Sequence, residues 1–295
     1  MLFRSLPDDV RAAELARLEP ARGGGHPRGV LRVPGLVKRA PALLGEPRQA
    51  VQLHRRGARR LFEQAVATYE QVLGREHPST AASLNNLASL LQDQGDFEGA
   101  RPLFERALAI YEKALGPDHP VTATTLNNLA FVLKSLGHYS EARPLYERAL
   151  TIRRKALGAD HPDTATSLNN LAGLLYAQED YELARRLYER ALALSEKALG
   201  AEHPATATCL NNLGNLLYAR GEYENARPLF ERALAIRERV LGAEHPNTKL
   251  SAGLATVVLE AQGCTEEAAA LRARFNLPQE SQPPANVPRP APDTG

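Results

Sequence analysis

The sequence predicts an all-α solenoid built from antiparallel helix pairs, and three observations carry that expectation. The stretch "HPSTAASLNNLASLLQDQGDFEGARPLFERALAIYEKALG", residues 77–116, returns almost unchanged from His119, His161 and His203, each 42 residues after the last, and a degraded fifth copy starts at His245. Within each copy apolar residues recur twice at helical spacing, with a short polar turn between the two runs that holds a glycine in every copy but the third. Neither helix has partners enough inside its own unit to cover its apolar face, so neighbouring units must stack to bury it.

Taken in order, the chain opens on a basic leader. Residues 1–60 carry 13 Lys/Arg against 5 Asp/Glu, while residues 61–295 carry 23 against 29, so the net charge of +2 conceals +8 and −6. Residues 20–41, "PARGGGHPRGVLRVPGLVKRAP", are rich in Gly, Pro and Arg and favour a flexible or degenerate leader over residues 1–58. The first residues, "MLFRSLPDDVRAAELARLEP", place charges where a secretory signal needs its apolar stretch, so the cytoplasm is the expected compartment. Residues 59–76, "RRLFEQAVATYEQVLGRE", match the second helix of a unit whose first helix is not recognisable upstream.

In the first clear unit Leu84, Leu87, Ala88 and Leu91 fall on one helical face. That helix opens at Pro78, where the missing amide hydrogen has no partner to lose, and stops near Gly95. After "QGDF", Ala100, Leu103, Phe104, Ala107, Leu108, Tyr111 and Leu115 mark a longer second helix that Gly116 is expected to close in a left-handed conformation. Ala100, Ala142, Ala184 and Ala226 share one position and Ala107, Ala149, Ala191 and Ala233 another, as close helix crossing requires. Phe97, Tyr139, Tyr181 and Tyr223, then Phe104, Tyr146, Tyr188 and Phe230, fill the space opposite. In the fifth copy Gly253, Thr265, Arg272 and Phe275 replace repeat residues, as a capping unit does. The array is thus expected over 59–276. Beyond it "PQESQPPANVPRPAPDTG" places six prolines in 18 residues, which predicts a disordered tail over 277–295.

This combined pattern, Leu, small residue, Gly-x-aromatic, Ala, aromatic, Ala, resembles the tetratricopeptide repeat. The 42-residue unit with "LNNLA", a lengthened second helix and "LGxxHP" is similar to the kinesin-light-chain subtype. The resemblance implies a right-handed superhelix of helix pairs that binds peptide segments or partner proteins in a concave groove lined by the first helices.

Asparagine is a poor helix former, so the pairs Asn85/Asn86, Asn127/Asn128, Asn169/Asn170 and Asn211/Asn212 ask for a reason. One and two turns after the first asparagine come Ser89 and Gln92, Phe131 and Lys134, Gly173 and Tyr176, and Asn215 and Tyr218. Constant amides beside variable neighbours fit a surface that holds a peptide main chain and selects side chains. On the resemblance, Asn85, Asn127, Asn169 and Asn211 would touch the guest's main chain, while Phe131, Lys134, Tyr176, Asn215 and Tyr218 would set side-chain choice. The other reading stays open: the amides tie each unit to the next by buried hydrogen bonds.

The same sequence argues against other chemistries. His77, His119, His161, His203 and His245 recur one unit apart, on the order of 20 Å, too far to share a metal ion, and "HP" is a sufficient helix-entry signal. Cys209 and Cys264 match no zinc or redox motif and are expected to be small buried residues. No phosphate loop, "GxSxG" or "HExxH" is present, so neither catalysis nor a cofactor is implied. An acidic repeat region argues against nucleic acid, and no apolar run is long enough for a membrane span. The expected function is an adaptor or scaffold for other proteins or peptides. The alternative is the sensor region of a signalling nucleotide hydrolase whose catalytic domain lies on another chain.

Overall fold

A computed structural model of the protein describes residues 47–278, so the leader and tail expectations for residues 1–46 and 279–295 lie outside the described residues. The chain divides at Gln52, and the helix pairs all belong to the second unit, Leu53–Gly295. The helices are α1 (Pro47–Leu73), α2 (Pro78–Asp93), α3 (Phe97–Leu115), α4 (Pro120–Ser135), α5 (Tyr139–Leu157), α6 (Pro162–Ala177), α7 (Tyr181–Leu199), α8 (Pro204–Ala219), α9 (Tyr223–Leu241), α10 (Pro246–Ala261) and α11 (Thr265–Phe275). Each helix packs on the next in sequence from α2 onward, which makes the chain an all-α solenoid of antiparallel pairs. The helix that precedes the first pair starts at Pro47, upstream of the expected boundary at residue 59. Its added residues, "PRQAVQLHRRGA", set Arg, Gln, Ala and Leu, all good helix formers, behind a first-turn proline, and the helix runs on through Gly57.

Both ends of each first helix are closed by the repeat itself. The imidazole of His77 accepts the Ser79 amide through Nδ1 at 3.1 Å, and His119, His161, His203 and His245 do the same to the residue two places on. A histidine thus does the work usually left to Ser or Asp, satisfying a first-turn N–H that has no partner within the helix. At the other end of α2 the Gly95 amide donates to Gln92 O and the Asp96 amide to Leu91 O, both at 2.9 Å, with Gly95 at φ +79°. This paired closure recurs in every unit. Gly116 behaves differently from the expectation: φ 96° with ψ 158° is extended positive-φ backbone rather than a left-handed cap, and it turns the chain sharply towards the next histidine.

The small residues do what close crossing demands. Ala100, Ala142, Ala184, Ala226, Ala107, Ala149, Ala191 and Ala233 are all fully buried, and Phe104, Tyr146, Tyr188 and Phe230 fill the core beside them. One hydrophobic cluster runs from Ala88 to Phe275 across the units, so the core is continuous and no unit is self-sufficient. A leucine at Ala149 would overpack that crossing at a cost of about 1–3 kcal/mol. Cys209 is buried as expected, whereas Cys264, in the turn before α11, is only half-buried. The short α11 ends at Asn276 in the left-handed region.

Each first helix touches the first helix of the next unit, whereas among the described residues no two second helices come as close. The first helices α2, α4, α6, α8 and α10 are therefore the inner layer of the array, and α3, α5, α7 and α9 the outer one. Long side chains bridge the wider outer spacing. Arg106 pairs with Glu70, Arg148 with Glu112, Arg232 with Glu196 and Arg274 with Glu238, at 2.5–2.7 Å. Lys113–Glu76, Lys155–Asp118, Lys197–Asp160 and Arg239–Glu202 form a second rail. Such exposed pairs contribute about 0–1 kcal/mol each and mainly fix register.

Candidate functional site: the inner face of the first helices

The repeat places the first asparagine of each unit on the inner layer at its border with the next unit, and there the amides are hydrogen-bonded. Asn127 Nδ2 donates to Ser167 Oγ at 3.2 Å and to Ala123 O at 3.5 Å, and its Oδ1 accepts from Asn170 Nδ2 at 3.4 Å. Asn211 Nδ2 donates to Ser251 Oγ at 2.9 Å, leaving Oδ1 buried without a partner because Leu254 stands where a second asparagine would supply the donor. Asn169 Oδ1 accepts from Asn212 Nδ2 at 3.0 Å, and Asn85 Oδ1 from the Thr125 hydroxyl at 3.5 Å. No protein acceptor takes the amide nitrogens of Asn85 and Asn169 among the described residues. The residue opposite Asn85 is Thr125 and that opposite Asn169 is Cys209, in place of the serines at 167 and 251.

The serines come with buried arginines. Arg153 Nη1 donates to Ser167 Oγ at 3.0 Å and to Asp163 O at 3.1 Å, and Nη2 reaches Thr124 Oγ1 at 3.2 Å. Arg237 repeats the set with Ser251, Asn247 and Thr208. Both arginines are only 6% exposed and have no carboxylate bonded to them; burial lowers the pKa of each, because desolvation disfavours the charged form. These staples join the second unit to the third and the fourth to the fifth. At the first and third junctions the same position is Tyr111 and Ser195, and the third junction holds Ser195 Oγ against Thr206 Oγ1 at 3.0 Å. The sequence shows these residue types, but only their meeting in space reveals a linkage that alternates from junction to junction.

The variable positions meet in the middle of the inner face. Phe131 is exposed; its ring stacks edge-on against Phe97 at 6.3 Å, and the Lys134 ammonium lies 5.5 Å from its centroid. A Cβ at Gly173 would sit 3.3 Å from Tyr188 Oη and 3.5 Å from Lys134 Nζ, so both groups flank the space that glycine leaves. The hydroxyls of Tyr146 and Tyr176 are buried with no hydrogen-bond partner in the structure. Burial raises the pKa of all three tyrosines, which stay protonated donors, and it lowers that of Lys134, whose ammonium meets no carboxylate among the described residues. Tyr176 packs on Tyr181 at 5.8 Å and Tyr218 on Tyr223 at 5.2 Å. Tyr218 is 7% exposed and belongs largely to the core, while Asn215 is half-buried with Oδ1 unpartnered. The structure therefore brings Phe131 and Lys134 together, places Tyr176 and Tyr146 beside Tyr188, which faces Lys134 across Gly173, and sets Asn215 and Tyr218 one junction further on. Tyr146 and Tyr188 were legible only as core aromatics; the hydroxyls that distinguish them from Phe104 and Phe230 were the available signal.

Groups of His, Cys, Asp or Glu able to hold a metal ion are absent among the described residues, and no described helix is long and apolar enough to cross a membrane.

The tetratricopeptide repeat model matches residues 56–113, 82–155, 139–194, 163–238 and 210–272. No curated protein matches the chain. Among solved structures the chain is similar to BtubC (BKLC) from P. vanneervenii, at 26% identity over 79% of this chain and 97% of that one, with a TM-score of 0.60. It is also similar to a Podosopora anserina protein of nearly identical TPR-like repeats, assigned as a kinesin light chain. That match has 30% identity over 68% of this chain and 95% of the other, with a TM-score of 0.56. The helix pairs, their glycine closures and these matches agree, and the chain belongs to the tetratricopeptide repeat family, with units of the kinesin-light-chain kind.

Proposed function

We propose that the array is a protein-interaction module that holds an extended peptide segment along the inner face of its first helices. The observation that carries this reading is the cluster around Gly173. Lys134, Tyr146 and Tyr176 present a desolvated ammonium and two buried hydroxyls with no partner of their own, an arrangement that is costly until acceptors arrive. A guest's carbonyl or carboxylate oxygens are such acceptors. Of the four asparagines expected to touch the guest's main chain, Asn85, Asn127, Asn169 and Asn211, direct contact is proposed for Asn85 and Asn169, since Asn127 and Asn211 are 4% exposed with their amide nitrogens bonded to serines. Asn85 and Asn169 supply free amide donors, and Asn127 and Asn211 set the spacing through their serines. Phe131, Tyr176, Asn215 and Tyr218 then select side chains. Adaptor or scaffold action without turnover, on protein rather than nucleic-acid partners and in the cytoplasm, is part of the proposal.

The test is a peptide-array screen with the full chain, followed by titration of the hits against Asn169→Ala and Lys134→Met. Hits weakened at least tenfold by both, with unchanged helical content, support the groove reading. Hits indifferent to both variants refute it.

A further inference from the structure

The outer layer carries a rail of Arg–Glu pairs, each joining residues 36 apart on successive second helices: Glu70–Arg106, Glu112–Arg148, Glu196–Arg232 and Glu238–Arg274. At the junction of α5 and α7 the rail is broken. The residue that continues it is Arg154, and its counterpart is Arg190, so two guanidinium groups stand where every other junction has an acid and a base. Both are exposed, and neither side chain has an ion pair or hydrogen bond among the described residues. Arg148 and Arg232 also donate to loop carbonyls of the preceding unit, Pro117 O and Ala201 O; Arg190 has no such bond. Arg186, exposed on the same helix, adds a third cation where the other units have Pro102, Pro144 and Pro228.

The patch is narrow. Glu147 lies two turns before Arg154 and Glu189 next to Arg190, each bonded to an arginine on its own helix, Glu182 lies within electrostatic reach of Arg186, and the region from residue 61 onward is net acidic. An extended polyanion would meet repulsion on both sides of the gap, whereas one carboxylate fits the missing rung and accepts from both arginines. We propose that the outer face at the α5–α7 junction is a second docking site, which takes an Asp or Glu side chain of a partner protein between Arg154 and Arg190. This surface is separate from the inner face and does not depend on it.

The test uses the full chain and short labelled peptides carrying one or two Glu in a neutral background, paired with the same peptides carrying Gln. Fluorescence anisotropy at low salt should show about tenfold tighter binding of the Glu peptide, a gap that shrinks as salt screens the contact. Arg154→Glu rebuilds the rung with Arg190, so it should melt at least as high as the parent while abolishing the Glu preference. Arg190→Ser should abolish it as well, and Lys134→Met should leave it intact. Equal binding of the two peptides, no binding of either, or a Glu preference that survives Arg154→Glu overturns the proposal. Stronger binding to anionic lipid vesicles than to the Glu peptide overturns the partner class. Because the inner-face variants are measured alongside, failure here is distinguishable from failure of the groove.

Discussion

Glu179→Gly is expected to stabilise the third unit. The turn between paired helices needs one residue in the left-handed region. Gly95, Gly137, Gly221 and Gly263 supply it at φ between +75° and +81°, but the third unit uses Glu179 at +63°. The two closing bonds are kept there: the Glu179 amide donates to Tyr176 O at 3.1 Å and the Asp180 amide to Leu175 O at 3.0 Å. The Glu179 side chain is exposed, and no hydrogen bond or ion pair is formed by it among the described residues, so its removal forfeits no contact. A Cβ in this conformation costs about 1–2 kcal/mol. Glycine gives back about 0.4–1 kcal/mol through the greater freedom of the unfolded chain. The net gain is about 0.5–1 kcal/mol, which in an array of this length corresponds to a Tm rise of about 1–4 °C. Glu179→Ala is the control, since it removes the same charge and keeps the Cβ. Circular-dichroism melts read the global effect, and amide exchange at residues 179 and 180 reads the local one. If Glu179→Gly melts no higher than Glu179→Ala, backbone strain is not what distinguishes this turn.

Other expectations follow from the same geometry. His119→Ala should lower stability by about 1 kcal/mol in urea titration through loss of the cap on α4, and His119→Asn should restore most of it. Lys134→Met should raise stability by about 1 kcal/mol near neutral pH, because it removes a desolvated charge. The folded-state pKa of Lys134 lies below the unfolded one, so the penalty is complete below the folded pKa and fades as pH rises towards the unfolded pKa. Urea titrations should therefore show the gap between Lys134→Met and the parent closing at alkaline pH. The Cys209 thiol, pushed up to about 11 by burial, should resist iodoacetamide at pH 8 in the folded chain while Cys264 is alkylated, and both should react in urea. Fast labelling of Cys209 would mean that the junction between α7 and α8 opens readily.

The architecture was legible because each unit repeats its own punctuation. Pro78, Pro120, Pro162, Pro204 and Pro246 open the first helices, and the alanine and aromatic positions fall in register from copy to copy. What the residues could not disclose was their partners. Asn127 and Asn169 look alike in sequence, yet the amide nitrogen of one is bonded to Ser167 and that of the other is free, because the deciding residue lies 40 positions away on another helix. Gly116 and Gly95 are both plausible stops, but only backbone geometry separates an extended turn from a left-handed closure. The start of α1 was missed because "PALLGEPRQAVQLHRRG" breaks the repeat pattern and keeps only general helix propensity.

The alternation of buried arginines has a mechanical consequence. Arg153 and Arg237 staple alternate junctions, so the links of the array are unequal: two stapled two-unit blocks meet at a junction between α7 and α8 held by Ser195 and Thr206, and the junction of the first two units, with Tyr111 at that position, lacks the staple as well. The α7–α8 junction falls between Tyr176 and Asn215, midway along the inner face. Bending there would change the pitch of the face while leaving the hydrogen bonds of both stapled blocks in place. A load pulling on the ends of the array is expected to open these unstapled junctions before the stapled ones.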